Sequence, residues 1–291
     1  LARWAMFLAS VSSYFILISQ MARYHSLSAL LTLLSLYYFC KIILSGYDKK
    51  SFIKFLIFGV LVGYTDLPHF IYLVFITNIY FLYSLLRKNN VLSWQKWFGG
   101  QTFLGLSFLP IIYLFYIRSH IDGGYDKASL LGRSVLNWAT DFLMHFYAYF
   151  FGENILPWNW MPFIVGVLCL VVLLFVLIKS IYKRSLSGGF NLLLYLFFAA
   201  ITANTIFLNY ADPRYNFIVY PKYVFVAFPL FIILITRLVF EIKSYFKYVI
   251  LFLVVLIQVF GLVNFYQRQN YLNGSYFNDF SGYEFVRSNA M

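Results

Sequence analysis

The sequence predicts an all-α chain, a polytopic transmembrane helical bundle of about nine spans. Three observations predict it. Of the 291 residues, 62% are apolar and only 11% are charged, where a soluble domain carries roughly 25% charged residues. Apolar runs recur at the length needed to cross a hydrocarbon core, about 20 residues. When the turns are assigned to alternate sides, the lysines and arginines gather on one of them. An aromatic content of 23% suits lipid-facing helices with interfacial belts.

Taken in order, the spans are expected at 4–19, 27–45, 52–66, 69–86, 97–117, 161–179, 190–209, 218–236 and 246–265. Pro68, rather than a polar loop, separates the third from the fourth. These two should therefore form a tight hairpin around Tyr64-Thr65-Asp66-Leu67-Pro68. The longest connection, 118–160, opens with Ile121-Asp122-Gly123-Gly124. It continues into an aromatic stretch, Trp138 to Phe151, that reads as an amphipathic interfacial helix. Residues 1–265 form one transmembrane domain with 118–160 as its external loop. Residues 266–291 are an external tail or the start of an external domain. Asn273-Gly274-Ser275 fits a glycosylation sequon, a short pattern that also arises by chance. Leu1 lies inside an apolar pattern with no Met and no signal-peptide layout, so a fragment lacking its natural N-terminus is expected.

The charge distribution orients the chain. With Arg3 cytoplasmic, that side collects 14 cations against Asp48 and Glu241, while the other side holds eight cations and eight carboxylates. The whole net charge of +12 thus lies on one face, which is positive-inside topology and removes the need for a nucleic-acid partner. A multi-pass protein of the cell membrane is expected, with the N-terminus of this chain cytoplasmic and its C-terminus external. Cys40 and Cys169 lie inside apolar runs without metal-ligand spacing, so core packing accounts for both. HExxH, GxSxG, Walker A and dinucleotide fingerprints are all absent, and nothing suggests ATP, nicotinamide or haem.

Ionisable variety collects on the external side, in three constellations. The first is Ser19-Gln20-Met21-Ala22-Arg23-Tyr24-His25-Ser26-Leu27, at the turn between spans one and two. An arginine at membrane depth pairs with a carboxylate or an anionic ligand, and its planar fork suits a phosphate. The competing reading is an interfacial arginine reaching to lipid headgroups. The second is Gly63-Tyr64-Thr65-Asp66-Leu67-Pro68-His69-Phe70-Ile71-Tyr72. Asp66 and His69, at i and i+3, share a helical face and could hold a phosphate, a sugar hydroxyl or a metal. Plain capping by Thr65 or Asp66 before Pro68 competes; it is preferred for Asp66, and the two readings stand level for His69. The third is Asp212-Pro213-Arg214-Tyr215, followed by Tyr220-Pro221-Lys222-Tyr223 and Pro229. There the competing reading is cations flanked by aromatic anchors.

The first run resembles the SQxAR-x-Y-SL segment of GT-C-fold glycosyltransferases that use polyprenyl-phosphate sugars, in the bacterial relatives of protein mannosyltransferases (glycosyltransferase family 39). Ser19, Gln20, Ala22, Arg23, Ser26 and Leu27 match it, whereas Met21 stands where the family often has Glu and His25 where it has Tyr. The second run is similar to the family's G-x-x-T-H-Y hairpin, with His69 on the family histidine. In the third, the family's Arg-Tyr with a proline seven residues beyond fits Lys222-Tyr223 and Pro229. Lys222 thus replaces an arginine whose fork the nearby Arg214 can supply.

The resemblance spans about 1–237 as short scattered motifs. It implies a GT-C-like bundle and an inverting membrane glycosyltransferase. Such an enzyme passes a sugar from a polyprenyl-phosphate carrier to an external acceptor, which is a glycan, lipid or protein. Arg23, Arg214 and Lys222 are then expected on the lipid phosphate, and Gln20, Tyr24, Asp66, His69 and Tyr223 in the substrate pocket. No cofactor is implied with certainty. A divalent metal has room in the resemblance, but two residues, Asp66 and His69, are too few for a metal site. The family's key acidic residue follows a helix upstream of everything seen here, so no catalytic residue is named and the chain as it stands is expected to lack its base. A transporter or flippase, or a polymerase or ligase of lipid-linked glycans, is the alternative class.

Overall fold

The computed structural model describes residues 1–20, 25–87, 92–121, 135–152, 155, 157, 159–182, 188–211, 225–242 and 245–267. Among these, eleven helices follow one another: α1 (Ala2–Val11), α2 (Ser13–Gln20), α3 (His25–Ser45), α4 (Lys49–Thr65), α5 (Leu67–Leu86), α6 (Trp94–Ile121), α7 (Val135–Phe151), α8 (Trp160–Tyr182), α9 (Gly188–Ala211), α10 (Ala227–Glu241) and α11 (Phe246–Gln267). The described residues contain no strand. Five stretches are long and apolar enough to cross a membrane: Ser26–Ser45, Leu67–Leu86, Trp94–Leu114, Trp160–Tyr182 and Phe246–Asn264. Of the other four expected spans, 4–19, 52–66 and 190–209 fall on helices, as does the later part of 218–236, whose residues 218–224 lie outside the described ones. Of these, α4 and α10 are short at 17 and 15 residues, α9 has a shorter apolar stretch, Gly188–Ala203, and the first span is broken in two.

The helices divide into two compact units. The first unit contains α1, α2, α7, α8, α10 and α11. A single helix was expected over 4–19, but Ser12 leaves the helix with φ −71° and ψ 122°. Adjacent serines favour this break, because their hydroxyls offer the backbone local partners. Ser12 Oγ accepts from the Phe15 N–H at 3.4 Å, as a cap for α2. The Ser13 N–H donates to Gln258 Oε1 of α11 at 3.1 Å, and the Ser13 hydroxyl lies 3.3 Å from the same oxygen. Gln258 Nε2 donates in turn to the Phe150 carbonyl of α7 at 2.7 Å. The amide thus ties three chain segments together at the break.

Beside this knot, Tyr14 is fully buried, 5.3 Å from the ring of Tyr149 and 5.2 Å from that of Phe228. Helix α7 covers the stretch Trp138–Phe151 expected as an interfacial helix. Trp138 and Leu143 are exposed, while its last four residues, Ala148, Tyr149, Phe150 and Phe151, are all buried within the unit. On α8 the pattern is the reverse of a soluble helix. Ile164, Leu168, Val171, Phe175 and Ile178 are exposed while Gly166, Cys169, Leu173 and Leu177 are buried, so both faces are apolar and lipid is the natural cover for the outer one.

The second unit contains α3, α4, α5, α6 and α9. Gly46, at φ +94°, turns the chain out of α3 through a conformation that L side chains rarely adopt. Asp48 then caps α4, its carboxylate accepting from the backbone N–H groups of Lys50 and Ser51 at 3.1 Å and from the Ser51 hydroxyl at 2.8 Å. Trp97 of α6 packs on Phe81 of α5 (4.8 Å between rings), Phe55 of α4 (5.7 Å) and Phe39 of α3 (5.9 Å). Its indole N–H donates to Asn78 Oδ1 at 2.8 Å. Cys40 and Cys169 are free, as expected from their apolar settings.

Candidate functional site: a buried Asp–His pair

The expected hairpin between α4 and α5 is tighter than its sequence suggested. One residue, Asp66, ends the first helix and begins the second. Its N–H donates to the Val62 carbonyl, closing α4, and its carbonyl accepts from the Phe70 N–H, opening α5. Pro68 sits in the first turn of α5, where a missing N–H costs nothing. The capping reading of Asp66 fails at the side chain, however. Its backbone is in cap position, φ −155° and ψ 111°, but no side-chain cap bond forms. The carboxylate turns to His69 instead, Oδ2 pairing closely with Nδ1.

Both residues are deeply buried, His69 at 0% and Asp66 at 4% exposure. Around the hairpin, α4, α5 and α6 pack closely. A Cβ on Gly63 would collide with the Phe108 ring, so only glycine lets α6 approach here. Phe108 then stacks on Phe70 at 4.2 Å with the rings 8° from parallel. Tyr64 donates to the Ser107 carbonyl at 2.9 Å. The Tyr72 ring lies 5.4 Å from the imidazole. Asp66 Oδ1 and His69 Nε2, the outward atoms of the pair, are buried with no hydrogen-bond partner.

The chain matches no family model, no curated protein and no solved structure.

An unpartnered buried polar atom costs about 1–3 kcal/mol, and two in one cluster point to a group that completes them. The chemistry of that group follows from the pair. Oδ2 and Nδ1 are taken up by each other, which leaves Oδ1 of the carboxyl and Nε2 of the ring as the atoms open to a partner. A hydroxyl group, which both donates and accepts, can meet either atom. No cluster of three His, Cys, Asp or Glu side chains that could hold a metal occurs among the described residues.

Arg23, Tyr24, Arg214, Lys222 and Tyr223 lie outside the described residues, and Gln20 closes α2 with its side chain likewise outside them. Two polar positions escaped the sequence reading. Gln258 was one amide in the apolar run of the last span, and an amide at that depth signals a partner elsewhere in the fold. The other is Gln101 on α6. Its Oε1 accepts from Asn78 Nδ2 at 3.1 Å, while its own Nε2 is buried without a partner.

Proposed function

We propose that this chain is a membrane-embedded glycosyltransferase, or a major part of one, that takes a sugar from a polyprenyl-phosphate carrier. The observation that carries the reading is the buried Asp66–His69 pair, whose two unpartnered polar atoms suit the hydroxyls of a sugar, which can donate or accept. It stands at the hairpin where the sequence resemblance expects a histidine. The apolar faces of five span-length helices support a substrate delivered on a lipid. In this reading an acceptor hydroxyl oxygen attacks the anomeric carbon, the bond from that carbon to the phosphate oxygen breaks, the phosphate leaves on the carrier, and the hydroxyl proton passes to the departing phosphate or to water. Arg23, Arg214 and Lys222 hold the phosphate, and their fixed charge stabilises it as it departs. The Asp66–His69 pair holds sugar hydroxyls.

One observation favours a transporter: a span interrupted partway, as at Ser12, is a common feature of transporter ion sites. Here, though, the freed Ser13 N–H is taken by Gln258, so that backbone group is not offered to a solute.

The test uses the full chain purified in detergent. Its melting temperature is followed with a short polyprenyl phosphate and with the same carrier bearing a sugar. A ligand at about 100 times its Kd stabilises by about 2.7 kcal/mol. Arg23→Ala is expected to lose the response to both lipids. Asp66→Asn is expected to keep the response to the bare phosphate and lose the increment due to the sugar. A folded chain indifferent to both lipids would sink the proposal.

A further inference from the structure

At the far end of the second unit from Asp66, the sequence puts six cations where α3 and α5 end and α4 and α6 begin. Lys41, Lys49, Lys50, Lys54, Arg87 and Lys96 are all exposed. Asp48 is the one carboxylate among the described residues of this end, and its oxygens are engaged by the backbone of Lys50 and Ser51 and by the Ser51 hydroxyl. Those bonds, led by that of Ser51, hold its carboxyl below the ordinary value, so it stays a charged cap. None of the six cations makes an ion pair with a described carboxylate. Three lie over phenolic rings instead: Lys96 is 4.2 Å from the centroid of Tyr47, Lys54 is 5.2 Å from Tyr38, and Arg87 is 5.5 Å from Tyr83. Trp94 and Tyr83 are exposed nearby, and the Trp97 cluster braces the helix ends beneath them.

We propose that this end of the second unit is a binding surface for the headgroups of anionic phospholipids. The arrangement suits that ligand on three counts. Six cations face one described carboxylate, Asp48, and none of them makes an ion pair with a described residue, so the end carries a large excess of positive charge for a partner to meet. Indole and phenol rings settle at the depth of headgroups and hold the cations there. The site is a spread of flexible ammonium groups around span ends, not a fork aimed at one point, and so matches a layer of phosphates better than a single free anion. Each cation beside an anionic surface strengthens binding roughly fivefold, so neutralising three weakens it on the order of 100-fold. The inference rests on the chain residing in a membrane, but not on sugar transfer.

The experiment titrates the full chain in a neutral detergent with phosphatidylglycerol or phosphatidylcholine and follows its melting temperature. Phosphatidylglycerol is expected to stabilise more than phosphatidylcholine. The excess should vanish in about 1 M sodium chloride, where the screening length is about 3 Å. Lys41→Gln/Lys49→Gln/Lys50→Gln should lose the excess, and the matching triple substitution to Arg should keep it. Equal responses to the two lipids, or an unchanged excess in the Gln variant, would overturn the proposal. So would an equal effect of inorganic phosphate, which would mark a free-anion site. If the Gln variant does not fold, the salt response of the unsubstituted chain still decides. No polyprenyl carrier enters the assay, so its failure is distinct from failure of the glycosyltransferase reading.

Discussion

Each unit buries a polar cluster among apolar helices, the Gln258 knot in one and the Asp66–His69 pair in the other, and these two are built in opposite ways. In the first unit, Gln258 reaches Ser13 and Phe150, so both ends of its amide are bonded. In the second, Asp66 and His69 satisfy each other on one side only, and Oδ1 and Nε2 face nothing. Burial makes an unmet polar group costly, so a finished network and an unfinished one read differently. The Gln258 knot repairs a helix break and has no capacity left over that calls for a ligand. The Asp66–His69 pair retains two polar atoms with bonds still to make. The comparison teaches that burial alone does not mark a site, whereas burial with a bond left open does.

The largest expected effect lies in the finished cluster. Gly152 adopts φ +68°, and a Cβ there would fall onto the Ser13 hydroxyl. Gly152→Ala should therefore combine left-handed strain with overpacking, at a cost of about 2–5 kcal/mol or loss of folded protein. Thermal melts in detergent measure it. A variant as stable as the parent would show that the knot is loose and would weaken the contrast.

A double-mutant cycle at Asp66 and His69 gives a smaller effect and a sharper test. Asp66→Leu or His69→Phe alone leaves the partner's inner atom unpaired and should cost about 1–3 kcal/mol. The two together should cost less than the sum, because no polar group is then left stranded. Additive losses would mean that the pair does not act as a unit.

Asp48 provides the smallest effect. Its carboxyl titrates below the ordinary value of 3.8 when folded, chiefly through the Ser51 hydroxyl. A depressed carboxyl adds stability above its unfolded pKa and loses it as pH falls through the folded value. Melting temperature should therefore fall slightly faster below about pH 4 in the parent than in Asp48→Ala. Parallel acid limbs would show that the cap is already frayed.

Much of the fold was legible because lipid-facing helices announce themselves through composition. Apolar runs near 27–45, 69–86, 97–117, 161–179 and 246–265 each became a helix of span length. The α4–α5 hairpin followed from Pro68, which cannot continue a helix that precedes it. The break at Ser12 was not legible, since its second half depends on Gln258, 245 residues from its partner Ser13. Nor was the buried end of α7, whose aromatic run suits an interface and a core equally well.

For the candidate site, the sequence by itself determined which groups were available and their helical spacing. Asp66 and His69 lie three residues apart on either side of a proline, an arrangement that allows either a cap or a pair. The tertiary structure decided between the two. The packed helices bury both side chains, and in that setting the carboxylate bonds to the imidazole rather than to the backbone it could have capped. Spacing is a local property and can be read along the chain. Desolvation depends on neighbours brought in by other helices, and it is desolvation that turns two ordinary polar residues into a site with bonds left to make.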